Sequence, residues 1–332
     1  MTHSEVTWLL DDITMRGTLS LPDDDGPFPA VVLVAGSGPT DRDWCSPLLP
    51  GTNGSARLLA EALANAGIAS LRYDKRASGP DVAESARILF GKFSMRSHLE
   101  ELVAAVGVLA GDDRIDGARI VGLGNSEGTL HVLHYATSQQ KVPFVGLVLL
   151  APPGRPVGEV LLSQLALQAA QVPGGAELMS EVEAAAQRYA ANEPMNLDPR
   201  LPDSVKMVLA SFESPANLPL ARELWNEDAA DVLPEVTIPT LILIGRKDLQ
   251  VDATLDGGAL ERVATGKDNI TFDYPANANH VFKEETRPTA EVLAAPGNGY
   301  NEDGTHLDPE SLAKILDWLY GVLSITRELP AE

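Results

Sequence analysis

The sequence predicts an α/β fold in which a mostly parallel central sheet is covered by helices on both faces. Two observations support this prediction. Short apolar runs alternate with segments of helical periodicity along the chain. One long interval between two of these runs has no strand signal, which indicates an inserted helical cap. The predicted strands lie at 30–36, 67–74, 118–124, 144–153 and 239–245, with a more polar candidate at 269–274.

Alternation of residue types, capping residues and apolar spacing predict the remaining elements. Residues 5–21 alternate as two short strands around a turn. Ser55 is expected to be the N-cap of the helix after the first core strand, and Asp308 and Pro309 are expected to begin the last helix. Two apolar stripes at helical spacing complete the pattern: Leu99, Leu102, Val103 and Val106 in one helix, and Leu312, Ile315, Leu316 and Leu319 in the last helix.

The order of these elements predicts the domain organisation. Residues 1–153 and 236–332 are expected to form the α/β core. Residues 154–235 are expected to form the helical cap, with breaks at PGG 173–175 and at several prolines. Because the cap lies between two core strands, it is expected to project over the carboxyl edge of the sheet, where open α/β folds bind ligands.

The composition excludes several classes of partner. The 25 Lys and Arg residues against 47 Asp and Glu residues give a formal net charge of −22, which repels nucleic acid and anionic lipid surfaces. No apolar run approaches the roughly 20 residues of a membrane span, and the N-terminus lacks a signal-peptide pattern. A cytoplasmic location is expected. Cys45 is the single cysteine, and no Cys/His spacing indicates zinc, so neither a metal nor a cofactor is expected.

A nucleophile candidate lies in GNSEG, where a predicted strand runs directly into helical sequence. Ser126 is the central residue, flanked by Gly124 and Gly128, in the GxSxG arrangement of a nucleophile elbow. The backbone N–H of Glu127 is expected to face an oxyanion at the start of the helix. The alternative is a plain glycine-rich connection, but the strand before it and the helix after it favour the elbow.

A serine nucleophile needs a histidine base and a carboxylate that orients it. Asp248 follows the strand after the predicted cap and is preferred over Asp252, which lies farther from the strand end. His280 follows the last predicted strand and is the expected base, in the chain order serine, acid, histidine. His306 is the other histidine after Asp248 and is interpreted as an exposed turn residue.

The remaining histidines give weaker signals. His131 and His134 are three residues apart in the helix after the nucleophile, which is a conceivable spacing for a metal pair. Helix packing is the preferred interpretation, because no third ligand is apparent in the sequence. His3 and His98 carry no signal.

The loop after the first core strand, GSGPTDRDW at 36–44, is expected to supply a second oxyanion donor through the backbone N–H of Ser37. The charged residues of this loop either hold it through ion pairs or form a solvated turn; they are Asp41, Arg42 and Asp43. The charged residues after the second core strand are expected to be structural, since they lie far along the chain from the serine, the acid and the histidine; they are Arg72, Asp74, Lys75 and Arg76.

Five segments together resemble bacterial α/β-hydrolase carboxylesterases with a GSGPxDRD loop: GSGPTDRD, RYDKR, GNSEG, LIGRKDLQV and NHVFK. The resemblance covers about residues 5–324. It implies the α/β-hydrolase fold, the oxyanion, nucleophile, acid and histidine roles given above, and hydrolysis of carboxylic esters. The chain departs from the family pattern in three places. Asn125 and Ala35 replace histidines, and RYDKR continues as ASGPD where relatives have a second glycine at once.

The expected activity is therefore a serine carboxylesterase that forms an acyl-enzyme intermediate on short to medium acyl esters. Its expected partner is a small ester. A thioesterase, an acyltransferase or a small peptidase could use the same residues, and a non-catalytic scaffold is a further alternative. The cap is expected to wall the acyl pocket through Leu161, Leu165, Leu167 and Val172. The long segment 284–306 is interpreted as a lid edge or a homo-oligomer contact.

Overall fold

The computed structural model describes residues 1–76 and 78–325. Ala77 and the last predicted core residues, 326–332, lie outside the described residues. The described chain contains one eight-stranded sheet, in the order β1-β2-β4-β3-β5-β6-β7-β8. The strands are β1 (Thr2–Leu10), β2 (Ile13–Leu21), β3 (Phe28–Val34), β4 (Ala69–Tyr73), β5 (Ile115–Asn125), β6 (Gly146–Leu150), β7 (Thr240–Leu243) and β8 (Ile270–Asp273).

The sheet is parallel from β4 to β8, and β2 joins it antiparallel to β4. Strands β1 and β2 form an antiparallel hairpin at one edge. The predicted α/β class is confirmed, because every apolar run of the sequence became a strand of one mostly parallel sheet. The runs are apolar without alternation because β3, β4 and β6 are buried along their whole length.

Twelve α-helices connect and cover these strands in the described part of the chain. Six helices of eight or more residues lie outside the interval between β6 and β7: α1 (Ser55–Asn65), α2 (Val82–Leu89), α3 (Met95–Ala110), α4 (Glu127–Thr137), α10 (Leu255–Val263) and α12 (Pro309–Val322). Five follow one another between β6 and β7: α5 (Val157–Ala169), α6 (Gly175–Ala190), α7 (Asp203–Glu213), α8 (Leu220–Trp225) and α9 (Ala229–Val232). The short helix α11 (Thr289–Ala294) follows β8.

Two helix starts test the capping predictions. The Asp308 prediction is confirmed: its Oδ2 accepts a hydrogen bond from the Ser311 N–H at 2.7 Å, and Pro309 is the first residue of α12. The Ser55 prediction is wrong, since Gly54 is the N-cap of α1 and Ser55 is its first residue. A side chain at Gly54 would collide with the Asp43 carbonyl, because a Cβ there would lie 1.9 Å from that oxygen. The close approach of these two backbones therefore selects glycine as the cap.

The segment between β6 and β7 builds its own apolar cluster. Its members include Leu165, Val182, Tyr189 and Trp225, which are separate from the large cluster around the sheet. Of the residues expected to wall an acyl pocket, Leu167 is 43% exposed and Val172 is 53% exposed. They lie near the end of α5 and in the turn that follows it, where they face solvent. Leu161 and Leu165 instead pack within the cluster of this segment.

No helix in the described residues combines the length and the apolar composition that crossing a bilayer requires.

Candidate active site

The turn from β5 into α4 holds Ser126 in an unusual conformation. Its φ is 54° and its ψ is −124°, a region that side-chain-bearing residues rarely adopt and that costs about 1–3 kcal/mol. The flanking glycines are required by close backbone crossings. A Cβ at Gly124 would lie 2.3 Å from the Gly128 carbonyl oxygen, and one at Gly128 would lie 2.4 Å from the Val34 carbonyl oxygen. The serine is therefore presented on a tight, strained turn, as in a nucleophile elbow.

His280 and Asp248 meet in the buried interior of the site. His280 Nδ1 lies 2.9 Å from Asp248 Oδ2, and both side chains are almost completely buried. The other carboxylate oxygen of Asp248 accepts the backbone N–H groups of Gln250 at 2.7 Å and Val251 at 3.0 Å. Three hydrogen bonds thus fix the carboxylate, and the carboxylate fixes the imidazole ring.

The rival residues serve other purposes. Asp252 accepts the backbone N–H groups of Thr254 and Leu255 at 2.7 Å each, at the start of α10. His306 is exposed and lies 3.4 Å from the Glu284 carboxylate. His134 lies 3.0 Å from Glu227, which belongs to the turn between α8 and α9.

Asn125 joins the nucleophile turn to the histidine loop. Its Nδ2 donates to the backbone carbonyl of His280 at 3.0 Å and, more weakly, to that of Leu150 at 3.4 Å. The side chain is buried. The residue before Ser126 thus ties the backbone of the histidine to the elbow.

The loop after β3 passes directly against Ser126. A Cβ at Gly36 would lie 3.2 Å from the Ser126 Cβ, so only glycine allows this approach without displacement. Ser37 follows at the exposed rim of the loop, and Glu127 is the first residue of α4. The first N–H groups of a helix have no partner within the helix, so the Glu127 N–H is available to an anion.

Ion pairs connect this loop to the end of β4 and to the residue that follows that strand. Arg42 forms two side-chain hydrogen bonds with Asp74, at 2.9 and 2.6 Å, and its backbone N–H donates to the same carboxylate at 2.8 Å. Asp43 pairs with Arg72 at 2.6 Å. Of the two interpretations given for the charged loop residues, Arg42 and Asp43 have the ion-paired arrangement, whereas Asp41 binds backbone N–H groups. Arg42 also reaches Glu5 of β1 at 3.0 Å.

Asp41 and Cys45 close the turn of the same loop. Asp41 Oδ1 accepts the backbone N–H groups of Asp43 and Cys45 at 2.9 Å each. Burial raises the pKa of Asp41, while these hydrogen bonds act in the opposite direction. The Cys45 thiol is buried, and burial together with the nearby carboxylates of Asp41 and Asp43 raises its pKa to about 12.

A buried charged cluster beside the elbow was not found from the sequence. Lys75 Nζ donates to the Gly36 carbonyl and lies 3.7 Å from Glu127 Oε1. Glu127 also contacts His131, whose Nε2 lies 3.1 Å from the same oxygen. Burial opposes ionisation of Glu127, but Lys75 and His131 outweigh it and hold the pKa of Glu127 well below its ordinary range. Burial also lowers the pKa of His131 to about 4.

Three side chains of this cluster could in principle ligate a metal. Ligand atoms of His98, Glu127 and His131 lie within 4.8 Å of one another. However, His98 Nδ1 is hydrogen-bonded to Glu101 at 3.2 Å, and the His131 nitrogen that faces Glu127 is engaged by it. The Glu127 carboxylate is already balanced by the Lys75 ammonium. The absence of a metal remains a prediction, and the contacts favour internal neutralisation of these charges.

The segment 284–306 packs onto the core through polar contacts. Lys283 donates to the Asn53 carbonyl, and Asn53 Nδ2 donates to the Thr305 carbonyl at 2.8 Å. Within the segment, the Tyr300 hydroxyl accepts a hydrogen bond at 3.3 Å from the side-chain amide of Gln250, which lies two residues after Asp248. The segment thus connects the stretch before α1 with the loop that carries Asp248.

The family model of the alpha/beta hydrolase family matches residues 31–295. Together with the eight-stranded sheet and the strained strand-to-helix turn, this match identifies the chain as a member of the alpha/beta hydrolase family.

Individual relatives agree with this assignment. Esterase EstD of Thermotoga maritima is 29% identical over 311 residues, which cover 93% of this chain and 66% of that protein. The chain thus spans slightly less than two thirds of that relative's length. A proline iminopeptidase of Mycobacterium smegmatis has a TM-score of 0.56 at 16% identity, covering 97% and 99% of the two chains. An esterase of Pyrococcus furiosus has a TM-score of 0.55 at 17% identity, covering 96% and 92%. At these identities the solved structures share the fold.

Proposed function

We propose that this protein is a serine carboxylic ester hydrolase in which Ser126 is the nucleophile, His280 the base and Asp248 the acid. The observation that carries the proposal is the pairing of two features. A serine is held at positive φ on the elbow, and the backbone of a buried His–Asp pair is tied to the residue before that serine. The similarity to an esterase supports the ester as the substrate class.

The chemistry follows from these groups. His280 takes the proton of the Ser126 hydroxyl as the oxygen attacks the ester carbonyl. The negative charge that develops on the carbonyl oxygen is received by the N–H groups of Ser37 and Glu127, and one such donor contributes about 3 kcal/mol to the transition state. The imidazolium returns the proton to the departing alcohol. Water, deprotonated by the same histidine, then attacks the acyl-enzyme and releases the acid.

The proposed substrates are small esters with short to medium acyl chains, and no metal or cofactor takes part. The proposed domain division places a helical cap of residues 154–235 beside this site. The net charge of −22 argues against polyanionic substrates such as nucleic acid, and a cytoplasmic location is part of the proposal.

The test compares wild type with Ser126→Ala on p-nitrophenyl esters graded from acetate to palmitate, near pH 8. We expect wild type to hydrolyse the shorter esters and the variant to lose about 10³-fold or more in rate. Labelling by a fluorophosphonate probe is the companion measurement, because only an activated serine reacts. A wild type that is labelled but inactive on esters would indicate thioester, amide or acyl-transfer chemistry. An unlabelled wild type would indicate a non-catalytic protein.

A further inference from the structure

One ammonium group contacts the carbonyl of Gly36, which precedes the proposed donor Ser37, and the side chain of Glu127, the second proposed donor. Lys75 follows β4 and is only 3% exposed. Its Nζ donates to the carbonyl of Gly36 in the loop after β3. The same Nζ lies 3.7 Å from the carboxylate of Glu127, the first residue of α4. Lys75 thus connects the loop after β3 with the start of α4, although it lies far along the chain from Ser126.

The contact with Gly36 bears directly on the donor of Ser37. The Gly36 carbonyl and the Ser37 N–H belong to the same peptide unit, which is planar and trans. In such a unit the oxygen and the hydrogen point in opposite directions. A bond that fixes the oxygen beneath the loop therefore fixes the direction in which the N–H points.

The positive charge has a second effect on this peptide. Hydrogen bonds from charged donors are shorter and about twice as strong as neutral ones. A bond to the carbonyl also polarises the peptide, so its N–H becomes a better donor, and burial strengthens this coupling. The tip of the loop, residues 37–39, is exposed and cannot be held by packing alone.

We infer that Lys75 is a positioning residue of the oxyanion hole, an inference that rests on the proposed function. Its ammonium orients and polarises the Gly36–Ser37 peptide. The carboxylate of Glu127, whose backbone N–H is the second proposed donor, balances the charge of this ammonium. Lys75 touches no reacting atom. Its effect reaches the oxyanion through the Gly36–Ser37 peptide, whose N–H is proposed to bind that oxygen.

The test variant removes the Lys75 ammonium together with its carboxylate partner, and the reference keeps the ammonium on the Gly36 carbonyl. Removal of Lys75 by itself would strand the Glu127 carboxylate, so Glu127→Gln is the reference and Lys75→Met/Glu127→Gln the test. Arg76→Met/Glu101→Gln is the matched control. It removes the next buried cation along the chain and its carboxylate, which are paired at 2.8 Å; the other partners of Arg76 are Asp11 and the Ser97 carbonyl, neither of which belongs to the loop after β3.

We expect kcat of the Lys75→Met/Glu127→Gln variant to fall 10- to 100-fold below that of Glu127→Gln, with KM changed less than threefold. Affinity for butylboronic acid, which forms a tetrahedral adduct with the serine, is expected to fall by a similar factor. The control is expected to keep its kcat within threefold of wild type. If Lys75→Met/Glu127→Gln does not fold, Lys75→Gln/Glu127→Gln carries the same expectation, since its two amides can hydrogen-bond to each other.

The inference is overturned if kcat and boronate affinity of the double variant equal those of Glu127→Gln, or if the control loses as much activity. A purely structural role would lower the unfolding temperature without weakening boronate binding. Failure of the proposed function looks different: wild type would be inactive, and Ser126→Ala would change nothing.

Discussion

The two sides of the candidate site are held by different interactions. On the histidine side, residues 278–283 are buried, and the donors that bind the His280 carbonyl and the Asp248 Oδ1 atom are neutral. Asn125 binds the carbonyl of His280, and two backbone N–H groups bind Asp248. On the oxyanion side, the loop tip at 37–39 is exposed, and ion pairs fix the later part of the same loop at Arg42 and Asp43.

The difference follows from exposure. A buried loop is fixed by packing, so its polar groups need only be satisfied. An exposed loop lacks that packing, and stronger charge-assisted bonds must supply its order. The comparison indicates that variants on the histidine side should chiefly change chemistry, and variants on the oxyanion side should change stability as well.

The largest expected effect is on the histidine side, in Asp248→Asn. An amide cannot stabilise the imidazolium and can hold the wrong tautomer of His280, so kcat should fall about 10³-fold or more while the fold is kept. The measurement is steady-state kinetics on a p-nitrophenyl ester with a thermal unfolding scan. The matched control is Asp252→Asn, which weakens only the start of α10. Equal losses in both variants would contradict the assignment of the acid.

The next effect is on the oxyanion side, in Asp74→Ala. Its carboxylate is nearly buried and receives three hydrogen bonds from Arg42, so its removal leaves a poorly compensated guanidinium. Breaking one partner of such a pair should cost about 3 kcal/mol of unfolding free energy. Urea unfolding measures it.

Glu61→Ala provides the control for this loss, because it breaks the half-exposed pair with Arg57 on α1, and about 0.5 kcal/mol or less is expected. An Asp74→Ala protein as stable as this control would remove the distinction between the two sides.

The smallest expected effect is on how the unfolding free energy varies with pH, and it comes from His131. Burial lowers its pKa to about 4 in the folded protein, from an ordinary value of 6.5. Between these values the unfolded chain binds a proton that the folded chain does not, so the unfolding free energy decreases as the pH falls from 6.5 to 4. His131→Gln retains a donor for Glu127 and should show a shallower decrease. Urea unfolding at pH 6.5 and 4.5 tests this, and parallel decreases in both proteins would refute it.

The sequence predicted the sheet because buried parallel strands are continuous apolar runs, which can be recognised without any tertiary information. The loop that holds Ser126 was recognisable for a similar reason, since the close crossings at Gly124 and Gly128 demand glycine at fixed positions. Both signals are local. They depend on residue types within a few positions of one another.

The features that were missed or wrong depend on distant backbone. The partner of Lys75 is a carbonyl group, which every residue carries, so no pattern of residue types could reveal it. The Ser55 cap was wrong because the Asp43 carbonyl, and not the helix, decides which residue fits before α1.

Cys45 bears on how the protein can be studied. Its thiol is buried and its pKa is raised to about 12, so almost none of it is thiolate near neutral pH, and thiol reagents act on the thiolate. The native chain should therefore resist maleimides without removal of its one cysteine. A single cysteine placed at an exposed position such as Leu48, which is 82% exposed, would then accept a fluorophore alone and report on the oxyanion loop nearby.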